Sequence, residues 1–418
     1  MSPSPRSPFL RHLFERGYVH QTTDLDGLDT LFERGPVTAY IGFDATADSL
    51  HVGHLVQTMI LRSLAAFGHR PIALMGGGTT KVGDPSFRDD ARPLLDDAAI
   101  EANKQGIQAI MERFLPFGDG PGSAVMLDND AWLSELRYVP FLRDFGRHFT
   151  VNRMLTFDSV RLRLEREQPL TLLEFNYMVM QAYDFLELAR RQGCRVQFGG
   201  SDQWGNIVNG IELGRRVEGL ELFGLTTPLL TTASGAKMGK TAQGAVWLAP
   251  HRLPVFDYYQ FWRNTEDADV GRFLKLFTEL PIDECERLGA LQEAEINEAK
   301  TVLAFEATKL CHGEDAAHSA LASAQAMYAR TGDDLSGLPV AEVASDILQR
   351  GVAAAELLQL AGLVESKGEA RRLIRGGGAR LNDSALDDET RLVGAGDLTD
   401  GVLKLSLGRK RHILVRPV

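Results

Sequence analysis

Between Val37 and Gly200 the chain alternates short apolar runs with longer amphipathic stretches, and most of the runs stop at glycine or a polar turn. Val37 to Phe43, Pro71 to Met75, Ala124 to Leu127 and Arg195 to Phe198 each have the length and apolar content of a buried strand. Between them, His51 to Phe67 and Thr171 to Arg191 carry helical periodicity. Strands that alternate with helices cannot pair as hairpins; they predict an open parallel sheet with helices on both faces. In such a sheet ligands bind beyond the carboxyl ends of the strands, so the chemistry is expected just after these runs.

Downstream the pattern changes. Pro254 to Asn264 and Ala294 to Cys311 read as helices, and Thr331 to Pro339 is a cluster of Gly, Asp, Ser and Pro suited to a linker. Beyond it, Ala353 to Ala361 and Lys367 to Arg375 read as two short helices, and Ala379 to Asn382 and Gly401 to Ser406 as strands. The expected organisation is α/β: a parallel-sheet catalytic domain over 1–229, a helical domain over 230–330, a linker over 331–350, and a small α+β domain over 351–418.

Charge supports the last division. The 418 residues carry a formal net charge of −11. Ser345 to Val418 holds 12 Lys and Arg against 10 Asp and Glu, a net of +2, which leaves −13 for the rest. An acidic total therefore does not exclude a polyanionic partner, because the distribution matters more than the sum. The three cysteines, Cys194, Cys285 and Cys311, are far apart and form no CxxC pair. They are expected to be reduced and buried, with neither a disulfide framework nor a zinc knuckle. No run approaches the ~20 apolar residues of a membrane span, and Met1 to Leu10 lacks the apolar core of a signal peptide, so a cytoplasmic protein is expected.

Two segments carry the strongest chemical signals. Tyr40 to His54 is a strand, a polar turn and a helix start ending in His51-Val52-Gly53-His54. A helix N-terminus offers unpaired N–H groups and partial positive charge to phosphate. Gly53 would let a flat ligand approach the backbone, and His51 and His54, three apart, could donate to one polyanion. Alone, such a pair is more often two surface histidines. The second segment is Ser234-Gly235-Ala236-Lys237-Met238-Gly239-Lys240-Thr241, two lysines in a loop of small residues. Alone, it is more often a solvated basic turn.

Together they resemble the signature pair of class I aminoacyl-tRNA synthetases, His-Ile-Gly-His and Lys-Met-Ser-Lys-Ser. Here Val52, Gly239 and Thr241 stand where the family has Ile, Ser and Ser. Three further segments resemble the tyrosine branch: Gly76 to Ser86, Glu174 to Asp184, and Gln197 to Asn206. The first is not a GxxxxGK[ST] phosphate loop, since Lys81 lacks the flanking glycine and hydroxyl. In the second, Tyr177, Gln181 and Asp184 share one helix face. Glu356 to Gly378 resembles an S4-type RNA-binding domain, in which Arg371, Arg372 and Arg375 can meet phosphates, with Arg409, Lys410 and Arg411 as a second basic cluster.

The resemblance implies a Rossmann-like catalytic domain, a helical domain and an S4-like appendage. It implies activation of tyrosine by ATP and transfer to tRNA. Tyr40 and Asp184 would hold the phenol, and Asp84, Tyr177 and Gln181 the ammonium. Gln203 would lie near the reacting carboxylate and α-phosphate. Gly42, Asp44, Gly53, His54, Gly200 and Asp202 would contact the nucleotide. Thr46, His51, Lys237, Lys240 and Thr241 would hold the departing pyrophosphate. Magnesium is expected with ATP, no metal is expected on protein ligands, and a homodimer is expected with Phe141 to Leu155 as candidate interface. The tryptophan branch shares the fold but has no phenol oxygen for Tyr40 and Asp184. A noncatalytic RNA-binding descendant would have no need of His51, His54, Lys237 and Lys240. An adenylyltransferase would have no use for the C-terminal segment.

Overall fold

The computed structural model describes residues 5–86, 94–233, 235, 238, 240–241, 244–329, 339–382, 384–399, 402–408 and 411–417, with backbone only at 158–159, 240–241 and 328–329. The chain divides into two compact units, Met1–Ala322 and Ser323–Val418.

The first unit is built on a six-stranded sheet. Its strands are β1 (Gln21–Thr22), β2 (Thr38–Phe43), β3 (Arg70–Met75), β4 (Val125–Asp128), β5 (Val196–Gly200) and β6 (Phe223–Thr227), ordered β1-β6-β5-β2-β3-β4. Only β1 runs antiparallel, against β6. From β2 the chain steps outward through β3 and β4, then returns to place β5 and β6 on the other side. The order therefore reverses between β2 and β5, where neighbouring connections leave a crevice.

Each apolar run of the sequence is a strand to within two residues at either end. The helix over Thr171 to Arg191 is Leu172–Gln192; Thr171 and Glu174 form a reciprocal capping box and left-handed Gly193 ends it. The stretch from His51 begins differently from the expected continuous helix. Val52–His54 is a single tight turn, and the helix proper is Leu55–Ala66.

Of the helical region expected as a separate domain over 230–330, the part up to Ala322 falls within the same unit as the sheet. Its ties to the sheet region are polar and specific. Arg16, at the end of the helix Pro8–Arg16, donates to the carbonyls of Lys275, Thr278 and Leu280 at 2.8, 2.6 and 2.5 Å. The Tyr18 hydroxyl donates to the Leu276 carbonyl at 2.6 Å, and Arg62 grips Glu279 with two bonds of 2.6 and 2.9 Å. These groups close the carboxyl end of the helix Asp267–Phe277, whose last carbonyls would otherwise lack partners.

Three histidines in this unit are held neutral. Burial depresses His69 to about 4, with its Nδ1 accepting the Val37 N–H at 3.2 Å. Burial and then Arg16 depress His12, and burial and then Arg113 depress His312, each to about 4. In the unfolded chain they would titrate near 6.5. Between these values the unfolded chain binds more protons, so folding weakens as pH falls from about 6.5 toward 4. The melting temperature is expected to drop by several degrees between pH 7.5 and pH 5. A melting temperature that is flat or rising toward acid would contradict it.

The second unit has its own core. A five-stranded sheet has the order β12-β11-β14-β15-β9, formed by β9 (Val340–Val343), β11 (Ala379–Leu381), β12 (Ser384–Ala385), β14 (Leu403–Leu407) and β15 (Arg411–Pro417). Short strands Val352–Ala353 (β10) and Leu392–Val393 (β13) pair separately, and Lys240–Thr241 (β7) pairs with Gly244–Ala245 (β8) in the first unit. The helices Ala354–Leu360 and Lys367–Arg375 bury Leu357, Leu358 and Ile374 among Leu381, Leu405 and Val415. The stretch expected as linker over 331–350 is in part structured: β9 pairs in parallel with β15, and Ser345–Arg350 is helical. Residues 331–338 lie outside the described residues.

Candidate active site

A cleft of about 340 Å³ opens at the carboxyl ends of β2, β3 and β5, at the point where the strand order reverses. Its floor includes Gly42, which is exposed although it sits in the central strand; a Cβ there would meet nothing within 4 Å. Gly76, after β3, admits no side chain, because a Cβ would lie 2.3 Å from Asp44 Oδ1. The turn after β2 is fixed from two sides: the Ala45 N–H donates to Thr80 Oγ1 and its carbonyl accepts from Asn103, both at 2.8 Å.

Part of its lining is a buried polar group. Asp184, on the helix Leu172–Gln192, accepts from Trp132 Nε1 at 2.7 Å and from Asn129 Nδ2 at 2.8 Å, one to each carboxylate oxygen. Burial pushes its carboxyl up to about 7, against the lowering effect of those two bonds. This shift acts on stability in the opposite sense to the three histidines, since stability from a raised carboxyl is lost as pH rises through the folded value. Tyr40 stands beside it on β2, 1% exposed, with its hydroxyl lacking a hydrogen-bond partner. Burial, then the nearby Asp184, raises that phenol well above its usual range. A hydroxyl and a carboxylate at the bottom of a cleft suit a ligand that brings its own hydroxyl.

Other lining residues form a hydrogen-bonded net. Asn129 also donates to Thr79 Oγ1, Thr79 donates to Asp44 Oδ1 at 2.8 Å, and the Tyr177 hydroxyl donates to Asp44 Oδ2 at 3.0 Å. Opposite, Gln203 Nε2 donates to Asp84 at 2.9 Å and Asp202 at 3.3 Å. Asn206 donates to both Gln181 and Gln203 at 3.0 Å. Carboxylates and amide oxygens thus face one cavity, an arrangement that attracts an ammonium group.

The histidines His51 and His54 line the cleft as well. His51 Nδ1 accepts the Gly53 N–H at 3.0 Å, and His54 Nδ1 accepts the His51 N–H at 3.2 Å. Both Nδ1 atoms are acceptors, which places the proton of each neutral ring on Nε2, the tautomer that can donate to an anion. Gly53 lines the cleft, and it has a second, steric reason to be glycine: a Cβ there would lie 2.7 Å from the His51 ring. Thr46, Gly200, Asp202 and Gln203 also line the cleft. Lys237 lies outside the described residues, as do the side chains of Lys240 and Thr241. Their surroundings are described on both sides. Met238 is buried and lines the cleft, while Val246 and Leu248 bond to Val52 and Leu50.

Sequence reasoning missed Asn129 and Trp132, which orient Asp184. The signal was present: they follow β4 directly, where a parallel sheet places ligand groups. It also missed Gln57, Ser86 and Gln197, whose buried side-chain oxygens lack partners and which line the cleft.

In the second unit Arg371 and Arg372 are exposed on the helix Lys367–Arg375. Arg375 is exposed too but is committed to Glu389 by two bonds of 2.8 Å. Arg411 donates to the Leu363 carbonyl, a bond internal to the fold. Arg409 and Lys410 lie outside the described residues. Among the described residues there is no cluster of three or more potential metal ligands and no helix long and apolar enough to cross a membrane. The cysteines are buried and free.

Known proteins place this geometry. The family profile of class I tRNA synthetases (W and Y) matches residues 33–329. A tyrosine–tRNA ligase of Rhodospirillum rubrum is 63% identical over 415 residues, covering 99% of both chains. One of Caulobacter vibrioides is 61% identical over 413 residues, covering 99% of this chain and 98% of its own. Among solved structures, a C-terminally truncated mitochondrial tyrosyl-tRNA synthetase of Aspergillus nidulans superposes with a TM-score of 0.70 at 32% identity, covering 77% of this chain and 94% of that one. A tyrosyl-tRNA synthetase of Archaeoglobus fulgidus complexed with L-tyrosine is alike in fold alone, with a TM-score of 0.54 at 18% identity.

Proposed function

We infer how this chain, which belongs to the class I tRNA synthetases of the tryptophan and tyrosine group and charges tRNA with tyrosine, distributes its substrates along the cleft. The observation that carries the reading is that a single cavity is lined by Tyr40 with Asp184, by Asp84 with Gln181 and Tyr177, by Gln203, and by His51 with His54. Those four sets of groups suit a phenol, an ammonium, a reacting carboxylate and a polyphosphate, the parts that tyrosine and ATP bring together.

The tyrosine carboxylate is already ionised at neutral pH and attacks the α-phosphorus of ATP without a general base. A bond forms from carboxylate oxygen to phosphorus, and the bond to the bridging oxygen breaks, releasing pyrophosphate. The protein aligns the two and stabilises the charge that moves onto the leaving group. Asp84, Tyr177 and Gln181 hold the ammonium, and Gln203 lies at the reacting carboxylate and α-phosphate. Gly42, Asp44, Gly53, His54, Gly200 and Asp202 hold the nucleotide. Thr46, His51, Lys237, Lys240 and Thr241 meet the pyrophosphate. Magnesium enters with ATP, bound by phosphate oxygens and water. A hydroxyl at the 3′ end of tRNA then attacks the adenylate carbonyl and releases AMP.

The units have separate tasks in this reading. Residues 1–322 make the adenylate, and the S4-like unit, through Arg371 and Arg372, holds tRNA in the cytoplasm. Two copies assemble through the apolar surface of Tyr138, Val139, Leu142, Val151 and Leu155, all more than a third exposed; a solution mass of one chain, 46.0 kDa, would exclude this. The assignment of the cleft is tested by ATP–pyrophosphate exchange across the twenty amino acids. Tyrosine alone is expected to support exchange, and equal exchange with phenylalanine would remove Tyr40 and Asp184 from the phenol site.

A further inference from the structure

We propose that Asp269 and Arg272 are positioning residues for adenylate formation, a brace that fixes the cleft wall from which the lysine segment runs. The proposal rests on the reading that Lys237 and Lys240 meet the pyrophosphate.

Asp269 lies in the first turn of the helix Asp267–Phe277 and is 2% exposed. One of its oxygens accepts the Ala233 N–H at 2.7 Å, and the other accepts from Arg272 at 2.8 Å. Arg272 reaches on to the Thr231 carbonyl. The carboxylate and the guanidinium therefore hold the donor of one residue and the acceptor of another on a single short stretch of backbone. Hydrogen bonds to charged groups are stronger than the neutral bonds within the turn itself.

What is held is the base of a reversal. The Gly235 N–H donates to the Thr232 carbonyl at 2.9 Å, with Gly235 left-handed at φ +84°. The Met238 N–H then returns to the Leu230 carbonyl at 2.9 Å. Leu229, Leu230 and Met238 all line the cleft. The described backbone of this segment is thus fixed at Thr231, Ala233 and Met238. Asp269 and Arg272 do not line the cleft themselves. A buried carboxylate spent on a loop backbone is a costly way to stabilise a surface turn, and it is intelligible where the turn must not shift.

Pyrophosphate exchange, with the full chain, tests the brace. Asp269→Ala is expected to lower kcat by about 10- to 100-fold, the scale on which a small misplacement acts. The KM for tyrosine should stay within about twofold, because the phenol and ammonium groups are untouched. Asp269→Asn keeps an oxygen for the Ala233 N–H but turns its NH2 toward the Arg272 guanidinium, so it should recover part of the loss and not all of it. Arg272→Ala, at a residue with an exposed side chain, should fall between them without affecting the fold. A purely structural role would raise the KM for tyrosine as well and gain nothing from asparagine; that result overturns the proposal. Wild-type kcat in Asp269→Ala beside an impaired Lys240→Ala overturns the brace alone. Wild-type exchange in Lys240→Ala overturns the lysine assignment, and the brace falls with it.

Discussion

Asp184→Asn is expected to lower kcat/KM for tyrosine by about two to three orders of magnitude while leaving the KM for ATP within about twofold. The reason lies in what surrounds the carboxylate. Asn129 Nδ2 and Trp132 Nε1 are both donors, and each is given to a different oxygen of Asp184. An amide has only one oxygen. Whichever way it turns, its NH2 faces one of those donors in a site where Asp184 is 2% exposed. An unmet buried donor costs about 1–3 kcal/mol, and two are created at once. The amide would turn or withdraw, and the phenol would lose its acceptor as well. Steady-state exchange kinetics decide the matter, with a thermal melt to show that the variant is folded. An unchanged kcat/KM would place Asp184 outside the tyrosine pocket.

The same residue shows what a sequence discloses and what it withholds. Asp184 could be placed on one face with Tyr177 and Gln181, because helical spacing is local. Its donors could not be paired with it: Asn129 and Trp132 are more than fifty residues away and meet it only through the packing of the chain after β4 on the helix Leu172–Gln192. Helix-start chemistry draws attention to Gly53, but the ring packed against it belongs to His51, two positions earlier, and that packing is visible only in the fold. β9 was hidden by its setting. Four residues, Val340–Val343, follow a Gly- and Pro-rich stretch, and they become a strand only because β15 supplies a parallel partner some seventy residues on. β15 in turn begins at Arg411, which reads as part of a basic cluster; the arginine is spent on the Leu363 carbonyl. Arg375 was read by helix face alone, and its partner Glu389 comes from beyond the next strand. Alternation and capping are legible because their causes lie within a few residues. Polar pairing across the fold is not, because its causes are tertiary.

Ending the chain near residue 330 is expected to separate the two reactions. The cut follows the helix Glu314–Ala329 and precedes β9, so it takes away the whole C-terminal sheet rather than leaving an unpaired strand. The second unit has a core of its own, in which Leu357, Leu358, Leu405 and Val415 pack together. Every group assigned to adenylate formation lies at or before Arg272. Tyrosine-dependent exchange should therefore survive within a few-fold. Transfer to tRNA should fall by about 100-fold or more, equivalent to roughly 3 kcal/mol of lost binding. The truncation removes the exposed Arg371 and Arg372, which would release counterions on pairing with phosphates. Binding of tRNA to the full chain should weaken linearly in log–log form as salt rises. The double variant Arg371→Ala, Arg372→Ala should reduce the slope by about 0.7–0.9 for each phosphate that is no longer neutralised. Arg375→Ala should matter less, since that side chain is already paired with Glu389. Filter binding across a salt series measures all three, with exchange as the control for folding. Wild-type aminoacylation by the truncated chain would remove the RNA-binding role from the second unit. An unchanged salt slope in the double variant would move that role off the helix Lys367–Arg375.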